Sequence, residues 1–365
     1  MALHPEPGDV LPDSLSFCTS SCSYSSIVTH RYRAYGLEVD SSSRIEALEF
    51  APSQAEKIDL RFEEGREPDW VRVLLSLPSK VLKRRLEPAG VAEPSVALTQ
   101  YGDGEGFELA YADGTRFVID GPAERVWATY EPPTTQGVML VCFLGPVMGF
   151  LLRRRHVTSL HASCIELQGR AIAFCGEAGF GKSTTAAALA LRGLPVVAED
   201  VVPMQETIGQ FWTIPGYPRV CLWPESVQML LGSEDALPLI AEGWDKRYLA
   251  LDGQRARFAA GKLPLALLYV FAPRVNEPDP PRIEKLGARE AVLELVPNTY
   301  MNWVLNPQQR AEEFDTLCRL VKQVSVRRIV PHADPEKMAG LCDLILRDAQ
   351  AFLSSREKSS ESIQR

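Results

Sequence analysis

The spacing of apolar residues divides the chain into two parts. In the segments RYRAYGLEVD, RIEALEF and KIDLRFEEG, apolar residues recur at about every second position, a period that predicts strands with one buried face. Three more such segments follow in residues 106–130, separated by turns rich in Asp, Gly and Pro, which is typical of hairpins. We therefore predict a β-rich, mainly antiparallel domain at residues 29–135, preceded by a flexible N-terminus at residues 1–28.

A different pattern begins after the segment PPTT at residues 132–135. The apolar stretch 137–152 predicts a buried helix, because it is shorter than the roughly 20 apolar residues that a membrane span needs. Apolar runs such as LPVVA and LPLALLYVF predict buried strands, and AEEFDTLCRLVKQV predicts an amphipathic helix. Residues 136–353 are thus predicted to alternate strands and helices, and the polar tail 354–365 is predicted to be disordered.

Composition limits the classes of protein that fit. A length of 365 residues suits two domains, and a net charge of −8 gives no reason to expect a nucleic-acid partner. Most of the eight cysteines lie in apolar runs, and the close pair Cys18 and Cys22 lacks a second pair or a histidine couple for a metal. No secretory signal pattern is visible. These features favour the reducing cytoplasm and predict no membrane span.

The clearest motif follows the apolar run AIAFC at residues 171–175. It matches G-x-x-x-x-G-K-[ST] and comprises Gly176, Glu177, Ala178, Gly179, Phe180, Gly181, Lys182 and Ser183, with Thr184 after it. Glycines let successive N–H groups converge on phosphates, and the following helix directs its N-terminal dipole at the same charge. Lys182 is expected to reach the β- and γ-phosphates, and Ser183 to ligate Mg²⁺.

An acidic pair follows one helix and one strand later, in the segment VVAED. Glu199 and Asp200 offer one carboxylate for Mg²⁺ and one for a proton, the two tasks of phosphoryl transfer. Both can serve only if the strand ends there and the chain turns, since side chains alternate along a strand. The alternative is a solvated acidic strand end. His161, on the strand before the glycine loop, is a candidate to face the γ-phosphate, although a lone histidine is more often a core residue.

Three basic residues further along the chain are candidate phosphate or substrate contacts. They are Arg219 in PGYPR and the neighbours Lys246 and Arg247, whose positive charges suit a transition-state or substrate phosphate. The alternative for each is a solvated surface residue, because exposed Lys and Arg are common.

The segment from His161 to Val202, HASCIELQGRAIAFCGEAGFGKSTTAAALALRGLPVVAEDVV, resembles the core of the HPr kinase/phosphorylase family, in particular its serine-kinase branch. Residues 137–350 resemble it more loosely. The resemblance implies an α/β P-loop kinase core, similar to phosphoenolpyruvate carboxykinases, beside the β-rich N-terminal domain. It also implies that ATP phosphorylates a serine hydroxyl of a peptide or protein, with Mg²⁺, and that the chain forms a homo-oligomer.

The same resemblance implies that Glu199 is the general base, that His161 is the active-site histidine and that Asp200 lies near the metal. The family usually has Asp where Glu199 stands, and its glycine-rich phosphorylase loop is absent, with PGYPR in a similar stretch. A serine kinase without phosphorylase activity is therefore expected, acting for example on a biosynthetic precursor peptide. Two alternatives stay open: a nucleotide-binding switch without transfer activity, and a kinase of a small hydroxylated molecule.

Overall fold

A computed structural model describes residues 29–86, 95–276 and 281–363, with side chains described as far as Arg356. The flexible segment predicted at residues 1–28, with Cys18 and Cys22, lies outside the described residues. Within them, the chain forms a β-rich N-terminal region followed by mixed sheets with helices.

The N-terminal region is an eight-stranded sheet in the order β1-β2-β3-β8-β7-β6-β5-β4. Its strands are β1 (His30–Ala34), β2 (Leu37–Ser41), β3 (Leu60–Glu64), β4 (Ser79–Arg85), β5 (Val96–Tyr101), β6 (Gly106–Tyr111), β7 (Arg116–Asp120) and β8 (Arg125–Thr129). The predicted antiparallel arrangement holds for most neighbours, but β3 pairs parallel with both β2 and β8. Parallel neighbours need long connections, and here helix α1 (Asp69–Leu75) and strands β4 to β7 all lie between β3 and β8.

A broken apolar helix joins the two regions. It consists of α2 (Gln136–Cys142), a π-helical turn (Phe143–Val147) that contains Pro146, and α3 (Met148–Arg154). It is the stretch, among the described residues, that is long and apolar enough to cross a membrane, yet 67% of its apolar window is buried inside the protein. Its side chains pack in one core with the N-terminal sheet. The prediction of a buried core helix is therefore confirmed.

The C-terminal region is built on a second sheet in the order β10-β9-β12-β13-β17-β19-β18, with β11 beside β9. Its strands are β9 (Ser159–Leu167), β10 (Arg170–Cys175), β11 (Val196–Ala198), β12 (Val201–Thr207), β13 (Gln210–Thr213), β17 (Leu263–Phe271), β18 (Arg282–Lys285) and β19 (Ser325–Val330). Because β10 also pairs with β17, five of these strands close into a ring. Strands β10, β17 and β19 run parallel, so their carboxyl ends meet at one edge.

Helices and a small side sheet cover this second sheet. The helices are α4 (Lys182–Leu191), α5 (Pro224–Leu231), α6 (Ala288–Leu295), α7 (Pro307–Gln323) and α8 (Met338–Ile363), and the side sheet joins β14 (Arg219–Leu222), β16 (Trp244–Ala250) and β15 (Leu239–Ala241). Helix α8 continues through most of the tail that was predicted to be disordered from residue 354. Extending an existing helix costs far less than nucleating one, so a polar sequence can remain helical.

Candidate active site

The glycine loop curls between β10 and α4 as its pattern predicts. Gly176, Gly179 and Gly181 have φ angles of 143°, 82° and 104°, values that favour glycine. A side chain on Gly176 would also place its Cβ 3.0 Å from the Cβ of Phe271. Gly181 is the N-cap of α4, so the loop delivers its backbone amides to the start of that helix, where an anion is favoured.

Lys182 is folded over this loop. Its Nζ donates hydrogen bonds to the carbonyl oxygens of Gly176, at 2.8 Å, and Glu177, at 3.1 Å. The side chain is buried, and burial lowers the pKa of its ammonium from the usual value. A buried cation held only by neutral carbonyls interacts strongly with any phosphate that enters the loop.

Two residues that the sequence analysis missed hold the loop in place. Asn298 accepts a hydrogen bond on Oδ1 from the backbone N–H of Gly176, at 2.9 Å, and donates through Nδ2 to the carbonyl of Glu294, at 2.7 Å. Arg274, just after β17, donates from Nη2 to the carbonyl of Gly179 at 3.3 Å. The second sheet brings these distant segments to the loop, and nothing in their local sequence marks them.

The acidic pair lies where β11 ends and the chain turns into β12. Asp200 adopts a left-handed backbone conformation with φ of 64°, which is rare for a residue other than glycine. The predicted end of the strand at Glu199 and Asp200 is thus confirmed. The turn gives the two neighbouring carboxylates different partners.

Glu199 faces the glycine loop and is 5% exposed. Ser183 donates a hydrogen bond from Oγ to its Oε1 at 2.7 Å. Burial, and then the nearby charge of Asp200, raise the pKa of the Glu199 carboxyl to about 7. The sequence led us to expect that Ser183 and Asp200 hold Mg²⁺ together. In the structure Ser183 bonds to Glu199, and the left-handed turn directs Asp200 to other partners.

Asp200 belongs to a more open group of residues, and its own side chain is 35% exposed. Its Oδ2 accepts a hydrogen bond from the hydroxyl of Tyr300 at 2.8 Å, and its Oδ1 lies 3.7 Å from Nδ1 of His161. The rings of His161 and Tyr300 stack with centroids 5.7 Å apart. Burial lowers the pKa of His161, which favours a neutral imidazole. The structure therefore places His161 and Tyr300 beside Asp200, and the expected contact of His161 with the γ-phosphate stays a prediction.

The π-helical turn approaches this group through Gly145. A Cβ added there would lie 3.3 Å from Oδ2 of Asp200 and 3.4 Å from the hydroxyl of Tyr300. Arg153 of α3 donates from Nε to the carbonyl of Tyr300 at 2.8 Å and pairs with the buried carboxylate of Glu313. The broken helix thus fixes Tyr300 on both sides, and π-helical turns are often found at functional sites.

The N-terminal sheet also reaches this region, through the turn between β1 and β2. Tyr35 is fully buried there, donates its hydroxyl proton to the carbonyl of Leu144 at 2.8 Å, and packs edge-on against Tyr217. Burial, followed by the charges of Asp200 and Glu199, raises the pKa of the Tyr35 hydroxyl. The N-terminal region is therefore part of the wall behind the acidic pair.

The three predicted basic contacts have different positions. Lys246 lies 4.8 Å above the ring of Trp223, and its positive charge acts on His161, Glu199 and Lys182, so it lies within electrostatic reach of the site.

The other two basic residues have partners of their own. Arg219 is buried, stacks 3.7 Å from the Tyr248 ring and lies 3.8 Å from a Glu46 carboxylate. Arg247 pairs with Asp235 at 2.9 Å. Side chains alternate along β16, so Arg247 lies on the opposite face from Lys246, and the structure does not bring it to the acidic pair.

A cavity of about 150 Å³ opens beside the glycine loop. Its lining is mainly apolar and includes Phe180, Thr184, Met229, His332 and Met338. A concave apolar site with a few polar groups is typical of a small-molecule pocket.

The donor set suits a hard divalent cation. The described residues contain no cluster of three or more His, Cys, Asp or Glu side chains that could hold a metal. Mg²⁺ binds through one or two carboxylates together with substrate phosphates, so it does not need such a cluster. Ser183 and Glu199 offer adjacent oxygens, and the raised pKa of Glu199 marks a buried carboxylate whose charge lacks compensation. These two residues therefore fit Mg²⁺.

Comparisons with known proteins give a distant likeness. No family model matches the chain, and no curated protein matches it. Among solved structures, it is similar to an Hpr(Ser) kinase/phosphatase from Coxiella burnetii, with 14% identity and a TM-score of 0.31 over 57% of this chain and 99% of that one. At that level of similarity, residue roles do not transfer from one chain to the other.

Proposed function

We propose that this protein is a Mg²⁺-dependent kinase that transfers the γ-phosphate of ATP to a serine hydroxyl of a peptide or protein. The observation that carries the proposal is the meeting of two groups at Glu199 and Asp200. One group, Lys182 with Ser183 and Glu199, suits a nucleotide with its cation, and the other, Asp200 with His161 and Tyr300, suits a hydroxyl acceptor.

The loop amides and Lys182 bind the phosphates in this proposal. Arg274, which already contacts the loop at Gly179, adds a cation near the same charge. Ser183 and Glu199 would hold Mg²⁺, which when bound offsets the negative charge of the phosphates. The apolar cavity beside Phe180 and Thr184 is the proposed place of the nucleoside base.

Asp200 is the proposed general base, in place of Glu199. It is the more exposed acid, whereas the Glu199 carboxylate is already bound to Ser183. The acceptor oxygen attacks the γ-phosphorus, the bond to the β-phosphate oxygen breaks, ADP leaves, and the hydroxyl proton passes to Asp200. Tyr300, and His161 as a neutral imidazole, orient that carboxylate.

The test is transfer of labelled γ-phosphate to serine-containing peptides and to free serine. We expect phosphopeptide from the wild-type protein, and none from Asp200→Asn despite retained ATP binding. Asp315→Asn is the matched control, since Asp315 is exposed on α7. ATP binding without transfer to any acceptor would instead identify a nucleotide-binding switch, and transfer to free serine alone would identify a small-molecule kinase. A cytoplasmic location and a homo-oligomeric state remain further predictions.

A further inference from the structure

Strand β4 stands at the edge of the N-terminal sheet. It pairs with β5 on one side, and no other strand among the described residues pairs with it on the other side. Six of its seven side chains are exposed, the exception being the half-buried Leu82. A strand edge with accessible backbone donors and acceptors is a template onto which an extended segment can pair.

This edge is strongly basic in an acidic protein. Four of its seven residues, SKVLKRR, are Lys or Arg, whereas the chain as a whole has a net charge of −8. Lys80, Lys83 and Arg84 are all exposed, and so is Val81, at 44%. Such a surface concentrates negative charge and offers an apolar contact beside it.

Strand β4 also lies close to the candidate site. It lies against the 3-10 turn Asn302–Val304, which directly follows the segment of Tyr300. Leu82 and Trp303 pack against the same core as Tyr300. Burial lowers the pKa of His161, and the charge of Arg85, the last residue of β4, is a smaller cause of the same shift, so Arg85 lies within electrostatic reach of the acceptor side.

We propose that β4 is the docking edge for the substrate, an extended acidic peptide that pairs with this strand and delivers its serine to the Asp200 side of the site. This inference rests on the proposed function and specifies its substrate class. The acidic residues of the peptide lie over Lys80, Lys83 and Arg84, while its backbone extends the N-terminal sheet.

A peptide fits this surface better than a nucleic acid does. The basic strip is one strand wide, and the exposed edge offers backbone hydrogen bonds that a polypeptide completes. Single-stranded nucleic acids bind grooves in which aromatic side chains alternate with basic ones, and β4 contains no aromatic residue. Lysine at a strand edge can also serve only to prevent aggregation with other strands. The test below therefore separates peptide docking from that protective role.

The experiment measures binding directly, so that it does not depend on catalysis. A fluorescein-labelled 12-residue peptide, with a central serine and Glu at alternate positions, is titrated into the full chain and followed by anisotropy. We expect binding that weakens as salt rises, and at least about a tenfold higher Kd for K80E/K83E/R84E. The matched control R255E/R289E/K322E carries the same charge change on exposed residues elsewhere and is expected to bind like wild type. Thermal unfolding checks that both variants fold.

The inference is overturned if a neutral peptide of the same length binds as tightly, if the β4 variant binds like wild type, or if the control variant loses as much affinity. A single-stranded oligonucleotide that displaces the peptide at lower concentration also overturns it. In kinase assays, equal phosphorylation of acidic and neutral peptides would reject the docking edge and leave the kinase. Tight binding of the acidic peptide without phosphate transfer would support the docking edge and reject the kinase.

Discussion

The two sides of the candidate site are assembled in different ways. The phosphate side, residues 176–184 with Glu199, comes mostly from one continuous segment and acts through its backbone and one buried lysine. The acceptor side draws Asp200, His161, Tyr300 and Gly145 from four separate segments. A nucleotide's phosphates are the same for every kinase, whereas the acceptor varies, and the side built from scattered residues is the one that can change without disturbing the loop.

The same contrast separates two neighbouring residues. Glu199 is 5% exposed and bound to a loop serine, and Asp200 has a side chain that is 35% exposed and bound to a tyrosine. A single left-handed residue, Asp200, produces the difference. In the proposed function, these adjacent acids take separate tasks, the division that phosphoryl transfer requires.

The largest effect is expected on the acceptor side. Asp200→Asn removes the proposed base, and general-base catalysis contributes about 100- to 10,000-fold. We expect kcat for peptide phosphorylation to fall by that order while the Kd for ATP stays within about twofold, measured by transfer assay and calorimetry. If Glu199→Gln were the more damaging change with ATP binding intact, the roles of the two acids would be exchanged.

The phosphate side is tested by Lys182→Ala. Loss of one charge-stabilising donor costs about 100- to 1000-fold in kcat, and here ATP binding should weaken as well because the lysine faces the phosphates. Transfer assay and ATP titration measure the two losses. Lys322→Ala, on the exposed end of α7, is the control. Undiminished ATP binding in Lys182→Ala would contradict the proposed role.

A smaller effect is expected from Tyr300→Phe. It removes the hydrogen bond to Asp200 and keeps the ring stacked on His161, at a cost of about 1 kcal/mol, or roughly fivefold in kcat. A transfer assay at fixed pH measures the loss, with thermal unfolding to check that the variant folds. An unchanged kcat would contradict the role of Tyr300 in orienting Asp200.

The last prediction concerns stability rather than rate, at the buried acid Glu199. The folded-state pKa of Glu199 is about 7, above the usual carboxyl value of 4.5, so the folded protein holds this proton more tightly than the unfolded chain does. Stability is then lost as pH rises from about 4.5 through 7. In magnesium-free buffer, Glu199→Gln should raise the Tm by a few degrees at pH 8 and leave it nearly unchanged at pH 4. An equal Tm shift at both pH values would show that ionisation of Glu199 is not the cause.

Sequence patterns predicted what is local. The strand, glycine loop and helix around Lys182 follow from contiguous residues, and so does the end of the strand at Glu199. Apolar residues at alternate positions predicted β1 to β3 and β6 to β8. The segment RIEALEF, predicted as a strand by the same pattern, instead contains the 3-10 turn Glu46–Leu48, and β4 and β5 were not predicted.

The sequence did not reveal which distant residues the fold brings into contact. Asn298 and Arg274 reach the loop only because β10, β17 and β19 align. The different hydrogen-bond partners of Glu199 and Asp200 depend on the φ angle of Asp200, which the identity of the two residues does not reveal. The parallel pairing of β3 likewise depends on the connections that precede and follow it.

The turn that carries Tyr35 has a consequence for how the chain can be divided. Its hydroxyl and amide bond to Leu144 and Gly216, and one hydrophobic core includes residues of the N-terminal sheet, the broken helix and Tyr300. A cut near residue 135 would expose that core and remove the support of the π-helical turn. The boundary that composition suggests is therefore a boundary in the sequence pattern, because one hydrophobic core includes residues from both sides of it.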